Sequence, residues 1–290
     1  MNSRNLFLPL VFCLAHASSW ANQPTKGPLP EIRVTNADWG RGSLRDISKV
    51  LNSSARQLWP HAEQRKMDFI QVSRSANGPI VLFRRGNEGQ YFVNLNTQDM
   101  YWCQYAFQFS HEFGHILCGY KPGARENLWF EETLCETASL FAMRKMSKTW
   151  AESPPYPSWR SYAPNLDEYA QERIDTHPWP YSPRCGAPLT LAEWYAKNRE
   201  ALRKNPTDRP KNTTLATKLL PLFEQQPDNW SAVAYLNFHK TKKSRQFHTY
   251  LADWKRTCPQ VSQKNFVGKL EELFGVGETL KDSSHKSSNE

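Results

Sequence analysis

Apolar positions along the chain follow two spacings, and each spacing predicts a different kind of element. Over residues 43–59 they recur every three or four residues, as on one face of a helix. Shorter runs rich in β-branched and aromatic residues predict strands at residues 69–72, 80–83 and 91–95. Residues 86–89, Gly-Asn-Glu-Gly, are typical of a turn, so the last two runs are expected to form a hairpin.

Helical spacing dominates the chain from there onward. It predicts helices at residues 98–118, 128–146, 166–174, 191–203, 216–226, 230–239, 244–256 and 263–274. We expect Asn96 or Thr97 to cap the start of the first of these, and Gly119 to follow its end. Thr190 and Glu193 have the spacing of a capping box. The order predicts an α+β fold, in which a small sheet precedes a mainly helical second half.

The N-terminus differs from the rest of the chain. A short basic region with Arg4 precedes an apolar run at residues 6–15, and the small residues Ser19 and Ala21 follow. This pattern predicts a secretory signal peptide cleaved after Ala21, with Ala17 as a second candidate, and therefore a secreted or periplasmic protein. The alternative is a buried N-terminal helix, against which Pro9 argues. No apolar stretch approaches the length of a membrane span, so no membrane span is expected.

Composition places the mature chain among folded soluble proteins. Of the 290 residues, 39% are apolar and 22% are charged, which excludes disorder throughout. We expect one domain over residues 22–280, with a sheet-bearing half (22–149) and a helical half (150–280), and a disordered polar tail at 281–290.

Basic residues outnumber acidic ones. Residues 1–21 contain Arg4 as their single Lys or Arg and no acid, so the mature chain has 36 basic and 28 acidic residues and a net charge of +8. These charges are scattered, and the densest run covers residues 240–245. A solvated basic surface is favoured over a nucleic-acid interface, so no nucleic-acid partner is expected.

One pentapeptide carries recognisable metal chemistry. His111-Glu112-Phe113-Gly114-His115 is an H-E-x-x-H motif on a predicted helix. Residues four apart share a helix face, so His111 and His115 can converge on one Zn²⁺ ion. Glu112 lies about 100° around the axis, where its carboxylate reaches a metal-bound water rather than the metal. The alternative is a pair of core histidines held by hydrogen bonds.

A third ligand is expected from the helix that follows. Glu132 and Glu136 are four residues apart and share a face of the helix predicted at 128–146. Glu132 is the favoured ligand, with Glu136 and Glu131 as alternatives. The remaining carboxylate can accept the second ring N–H of a ligand histidine, which fixes the histidine tautomer.

This combination of motif and second helix resembles the gluzincin branch of the zincin metallopeptidases. The resemblance covers about residues 91–146. It implies a secreted zinc metallopeptidase that acts on peptide or protein substrates. The acid that accepts the second ring N–H of a ligand histidine is usually Asp in gluzincins and here is Glu136, and the spacer between the two helices is shorter than in thermolysin-like members. The metzincin branch is excluded because residues 118 and 121 are Cys and Lys.

The resemblance also assigns roles to individual residues. The residues that match family positions are His111, His115 and Glu132 as zinc ligands, Glu112 as general base, and Glu136 as the acid behind a ligand histidine. The strand at residues 91–95 takes the place of the edge strand that binds extended substrate. The oxyanion partner is expected from the C-terminal half. Tyr235 is preferred for it over His177, His239 and His248.

A second class of function fits the same residues. A zincin-like fold that holds zinc without turnover would act as a binding or inhibitory module. Its motif would look the same in the sequence, so the two hypotheses are separated only by a test for peptide cleavage.

The cysteines allow a rival metal site. His111, His115, Cys118 and Cys135 could form a closed structural site, but seven residues of helix rise about 10.5 Å between His111 and Cys118. We therefore expect Cys118 and Cys135 to be buried thiols or a disulfide between the two helices. A bridge between Cys185 and Cys258 is also predicted, because both lie in proline-flanked loops.

Overall fold

Nine helices and four strands form the part of the chain that is described by a computed structural model. That part comprises residues 27–62, 67–121, 125–238 and 246–276. The predicted signal peptide (1–21), the predicted tail (281–290) and His239 lie outside it. The fold is α+β and mainly helical, as predicted.

The helices lie close to their predicted places. Their bounds are α1 Leu44–Leu58, α2 Trp102–Leu117, α3 Leu128–Glu152, α4 Ala163–Asp175, α5 Leu191–Lys204, α6 Arg209–Gln225, α7 Trp230–Val233, α8 Phe247–Thr257 and α9 Val261–Leu273. Short 3-10 turns precede α3, α4 and α7. The largest differences are α6, which begins seven residues earlier than predicted, and α7, which is a single turn where the pattern predicted a helix over 230–239.

The four strands form one mixed sheet. They are β1 Ile32–Val34, β2 Ile70–Arg74, β3 Ile80–Leu82 and β4 Tyr91–Leu95, in the order β1-β2-β4-β3. β1, which the pattern did not predict, runs parallel to β2, and β2 runs parallel to β4. β3 and β4 pair antiparallel, which confirms the predicted hairpin.

The sheet order corrects one prediction. The strand at residues 91–95 was expected to be the edge strand, but β4 lies inside the sheet between β2 and β3. β3, the first strand of the hairpin, is the edge strand beside α2. The reason is that β4 pairs on its other side with β2, a long-range pairing that strand propensity does not encode.

Local capping explains some helix ends and not others. Thr190 and Glu193 form the predicted capping box at the start of α5. Gly119 follows α2 with φ +97°, a conformation that suits glycine. The predicted cap of α2 is wrong, because the helix begins after Tyr101 without a side-chain cap. Asn96 and Thr97 instead bond to glutamine side chains of α2 itself, those of Gln108 and Gln104.

Helices α2 and α3 form the centre of the core. Their large apolar side chains are fully buried, among them Phe109, Phe113, Trp129, Phe130 and Phe141. α3 is buried on almost every side, as expected of a helix surrounded by other elements. The apolar cluster around them extends from β1 to α9. No described helix is both long and apolar enough to cross a membrane.

The cysteines correct another prediction. All five described cysteines are free thiols. Cys185 is exposed, whereas Cys258, at the end of α8, is 1% exposed. The predicted Cys185–Cys258 bridge is therefore wrong, because an exposed loop thiol and a buried one do not meet at bonding distance.

Gly114 sets how closely α2 and α3 approach. A Cβ atom at Gly114 would lie 3.0 Å from Sγ of Cys135 and 3.1 Å from its Cα. One of these atoms belongs to the α3 backbone, so a side chain here would push the two helices apart. Gly268 in α9 is different, because its Cβ would meet only the flexible end of Lys255 at 3.2 Å.

We expect Gly114→Ala to destabilise the protein by about 1–2 kcal/mol, since overpacking of about 1–3 kcal/mol outweighs the gain in helix propensity. Gly268→Ala is the matched control and should be stabilising by about 0.5–1 kcal/mol. Urea denaturation of both variants measures these free energies of unfolding. A Gly114→Ala protein as stable as the Gly268→Ala protein would contradict the close approach.

Candidate metal centre

The two motif histidines share one carboxylate of α3. His111 and His115 lie one turn apart on α2, with their ring centroids 5.3 Å apart. Oε2 of Glu132 lies 3.2 Å from Nε2 of His111, and its Oε1 lies 3.7 Å from Nε2 of His115. Two imidazole nitrogens and a carboxylate therefore converge on one small volume. The structure brings together the three residues that the sequence assigned as ligands.

The other ring nitrogen of each histidine faces a second carboxylate. Nδ1 of His111 lies 3.5 Å from Oε2 of Glu136, and Nδ1 of His115 lies 2.7 Å from Oε1 of Glu131. A carboxylate at Nδ1 holds the proton there and leaves Nε2 as the ligand atom. One helix thus supplies the shared carboxylate and both orienting carboxylates.

Groups from the helical half hold these orienting carboxylates in place. Thr213 on α6 donates its hydroxyl hydrogen to Oε1 of Glu136 at 2.9 Å. Asn237, in the turns after α7, donates from Nδ2 to Oε2 of Glu131 at 2.8 Å. Tyr250 on α8 donates in turn to Oδ1 of Asn237 at 3.2 Å. The buried groups around the histidines are therefore tied to three elements of the second half of the chain.

The sequence did not predict most of the residues that orient the histidines or hold the orienting carboxylates. The sequence suggested Glu131 only as an alternative ligand, although it lies next to Glu132 on the same turn of α3. Thr213 and Asn237 carry no local motif, and they lie 77 and 106 residues from the carboxylates to which they donate. Tyr250, which bonds to Asn237, carries no local motif either. Tyr235, the preferred oxyanion partner, lies after α7 with its ring 6.0 Å from that of Phe238.

Glu112 lies against the edge strand. It is 4% exposed, and the Val81 N–H of β3 donates a hydrogen bond to its carboxylate. Burial raises the pKa of Glu112 above its usual value, although the nearby histidines oppose this. The ring of Phe83, one residue past β3, meets His115 edge-on at 6.1 Å. The motif helix and the edge strand therefore form two sides of one site.

Charge in the site is strongly unbalanced. Four carboxylates, those of Glu112, Glu131, Glu132 and Glu136, surround the two imidazoles in a region of low exposure. Burying charges in this number is costly unless cations or protons compensate them. Such a site favours a divalent cation.

The two histidines offset part of this negative charge because their pKa values are raised. Burial lowers the pKa of His111, but its hydrogen bonds to Glu132 and Glu136 raise the pKa by more than burial lowers it. The pKa of His111 therefore lies well above its usual value. Burial likewise lowers the pKa of His115, and the bond to Glu131 outweighs it, so that this pKa is also raised. The raised pKa values favour the protonated form of both histidines, so protons compete with a metal ion for these nitrogens.

Cys135 is a rival for the third ligand position. Its Sγ and one ring nitrogen of each histidine lie within 4.8 Å of one another, so these three residues form a group that could hold a metal ion. The thiol is fully buried against Gly114, and burial raises its pKa well above the usual value. The Glu132 side chain is 17% exposed, and its pKa is lowered because the histidines outweigh the effect of burial. Of the two candidates for the third ligand, Glu132 is therefore favoured over Cys135 because its carboxylate is more readily ionised and more accessible.

We expect Glu132→Gln to weaken metal binding by more than the 10–100-fold that loss of an orienting partner costs. Cys135→Ala is the matched control and should bind the metal with wild-type affinity. Competition with a chromophoric chelator measures both dissociation constants for Zn²⁺. The reverse ranking of the two variants would assign the ion to the thiol.

We also expect metal binding to release protons. Because the pKa values of His111 and His115 are raised, at least one proton should leave per Zn²⁺ bound at pH 7, and the number should fall as pH rises above those values. Calorimetric titration in buffers of different ionisation enthalpy counts these protons. Glu136→Gln removes a negative charge beside Nδ1 of His111, which lowers the pKa of His111, so this variant should release fewer protons. A binding enthalpy independent of the buffer at pH 7 would contradict the protonated site.

Compared with protein-family models, with curated proteins and with solved structures, the chain matches none of them. The chemical interpretation of the site therefore depends on its own residues. Those residues are two histidines that share a carboxylate, an orienting acid behind each ring, and a buried glutamate between the helix and the edge strand.

Proposed function

We propose that this protein is a secreted or periplasmic zinc metallopeptidase with a zincin-like catalytic half. The observation that carries the proposal is the carboxylate of Glu132, which contacts Nε2 of both His111 and His115. A two-histidine, one-glutamate set is one of the ligand sets of catalytic zinc sites, which keep a position open for water. The partial exposure of Glu132 agrees with an open position.

The donor set fits zinc. Imidazole nitrogen and carboxylate oxygen are both zinc ligands, and Glu131 and Glu136 orient the two rings from behind. When bound, such an ion lowers the pKa of a coordinated water to about 7 and polarises a carbonyl oxygen. The buried acidic charge described above supports a divalent cation over a neutral ligand.

Glu112 is the proposed general base. It follows His111 directly on α2, so its carboxylate lies beside the ligand nitrogens without facing them. Burial raises its pKa towards the working range of a group that accepts a proton near neutral pH and then returns it to the leaving amine. The hydrogen bond from the Val81 N–H holds the carboxylate in place between α2 and β3.

The edge strand β3 supports a polypeptide substrate. An exposed sheet edge binds an extended peptide by adding it as a further strand. β3 lies at such an edge beside Glu112, and the apolar side chains of Ile80 and Phe83 are 47% and 41% exposed. A peptide paired with this strand would pass close to the motif histidines. β3 therefore takes the role that the sequence had given to the strand at 91–95.

The test replaces Glu112 by Gln and measures metal content and cleavage separately. We expect Glu112→Gln to retain about one Zn²⁺ per chain and to lose peptide cleavage by roughly 10²–10⁴-fold, because a general base contributes about that much. Glu272→Gln, at an exposed position on α9, is the matched control and should cleave normally.

Two outcomes would reject the proposal in different ways. Zinc bound at full stoichiometry without cleavage of any peptide library by the wild-type protein would leave the alternative, a binding or inhibitory module. Unchanged cleavage by the Glu112→Gln variant would remove Glu112 from the mechanism.

A further inference from the structure

A cavity of about 450 Å³ opens between the start of α2 and α4, apart from the candidate metal centre. Its volume lies within the range of about 300–1,000 Å³ that is usual for small-molecule pockets. The walls carry three tyrosine rings, two glutamate side chains, two amide side chains and one thiol, and none of the lining residues is basic. Such a lining combines aromatic surface with negative charge.

Two carboxylates on one wall of the cavity have no counter-ion. Glu168 and Glu172 are four residues apart on α4, so they share a face of that helix. Both are exposed, and neither forms an ion pair with a basic residue of the described chain. Two arginines close to α4 have other partners, because Arg144 pairs with Asp167 at 3.7 Å and Arg173 lies over a phenylalanine ring at 4.1 Å. The two carboxylates therefore give this wall a negative potential that a bound cation would offset.

The tyrosine rings form the rest of the surface that a ligand would meet. Tyr101 is 53% exposed, whereas Tyr162 and Tyr169 are half-buried. The Tyr162 hydroxyl lies 3.3 Å from Sγ of Cys103, and Nη2 of Arg173 donates to the Tyr169 hydroxyl at 3.0 Å, so both rings are held in place. The face of an aromatic ring attracts cations electrostatically, and rings of this kind bind ammonium groups in proteins.

The start of α2 also borders the cavity, and a helix N-terminus by itself favours an anion. Its dipole is equivalent to about half an elementary charge, whereas the two glutamates contribute two formal negative charges. Amide hydrogens of this first turn also have partners already, since the N–H groups of Gln104 and Tyr105 both bond to the carbonyl oxygen of Tyr101. A cation is therefore favoured over an anion in this cavity.

We propose that the cavity binds a compact organic cation, an alkylammonium or guanidinium group, between the tyrosine rings and the two carboxylates. Two sources would present this chemistry. One is a free amine such as a quaternary ammonium compound, and the other is the lysine or arginine side chain of a peptide. The binding itself does not depend on a metal ion or on catalysis.

The second source would connect the cavity to the candidate metal centre, and this step alone rests on the proposed function. Gln104, on the cavity wall, precedes His111 by seven residues, which is close to two turns of α2. Residues so spaced share a helix face and lie about 10.5 Å apart along the axis. An extended peptide rises about 3.3 Å per residue. A basic side chain in the cavity would therefore belong to a residue about three positions from the bond cleaved at the metal.

Calorimetric titration of the full mature chain tests the requirement for charge. The probes are choline and 3,3-dimethylbutan-1-ol, which have the same shape and differ in charge, together with lysine and arginine blocked as their Nα-acetyl methylamides. We expect choline to bind roughly tenfold more tightly than the neutral alcohol, because the rings and carboxylates act on the charge. Equal affinity for choline and the alcohol, or no binding of any of the three cations, would overturn the proposal.

Variants of exposed lining residues locate the binding. For the cation that binds most tightly, the Glu168→Gln/Glu172→Gln double variant should bind roughly tenfold more weakly, and Tyr101→Ala roughly threefold more weakly. Tyr101→Phe keeps the ring and should bind like the wild type, as should Glu272→Gln, a control for an exposed acid elsewhere. Wild-type affinity in the double variant would place the cation outside this cavity and overturn the proposal.

The same titrations distinguish the two sources. Choline bound more tightly than either blocked amino acid indicates a free amine, and the opposite ranking indicates a basic side chain. In the second case, peptides with Lys or Arg about three residues from the cleaved bond should show a lower KM with the wild-type protein than with the double variant. Cation binding without cleavage of any peptide would reject the peptidase and leave the cation site standing.

Discussion

The close contact between α2 and α3 is the constraint on which the site depends. At Gly114 the two helices approach so closely that a single added carbon would touch the α3 backbone. This approach places the α3 carboxylates within hydrogen-bonding reach of the α2 imidazoles. A larger residue at position 114 would move Glu132 away from the histidines, and its carboxylate would lose the two imidazoles that lower its pKa.

The second constraint on the site is electrostatic. The site gathers more acid than its histidines can balance, and three of its four acids are each held by a donor from a different element. Thr213 holds Glu136, Asn237 holds Glu131, and the backbone of β3 holds Glu112. Buried polar networks are stable when every member is paired, and each such pairing also fixes geometry. The helical half of the chain therefore serves the site by holding its acids, besides covering the core.

The position of β3 connects the fold to the proposed chemistry. A parallel sheet with one antiparallel arm leaves β3 at the edge, and its backbone donates to the proposed general base on α2. The same strand can therefore orient Glu112 and present an edge to an extended chain.

Much of the fold was predictable because helix spacing and capping act within a few residues. The spacing predicted α1, α2 and α3 to within a few residues at most of their ends, and Thr190 with Glu193 marked the start of α5. Predictions that required distant partners were less successful. The edge strand was misassigned because the pairing of β4 with β2 is long-range, and the bridge of Cys185 was predicted from proline-flanked loops that do not meet.

The sequence by itself determined which side chains can act together within one helix. His111 and His115 share a face at any position of α2 in space, and Glu132 and Glu136 share a face of α3, because the helical repeat is local. The tertiary structure alone decided which carboxylate meets which nitrogen, that Glu131 lies behind His115, and that Asn237 and Tyr250 support it. These contacts depend on the distance and rotation between packed elements. Such quantities are set by side-chain volumes throughout the core, and no local motif records them.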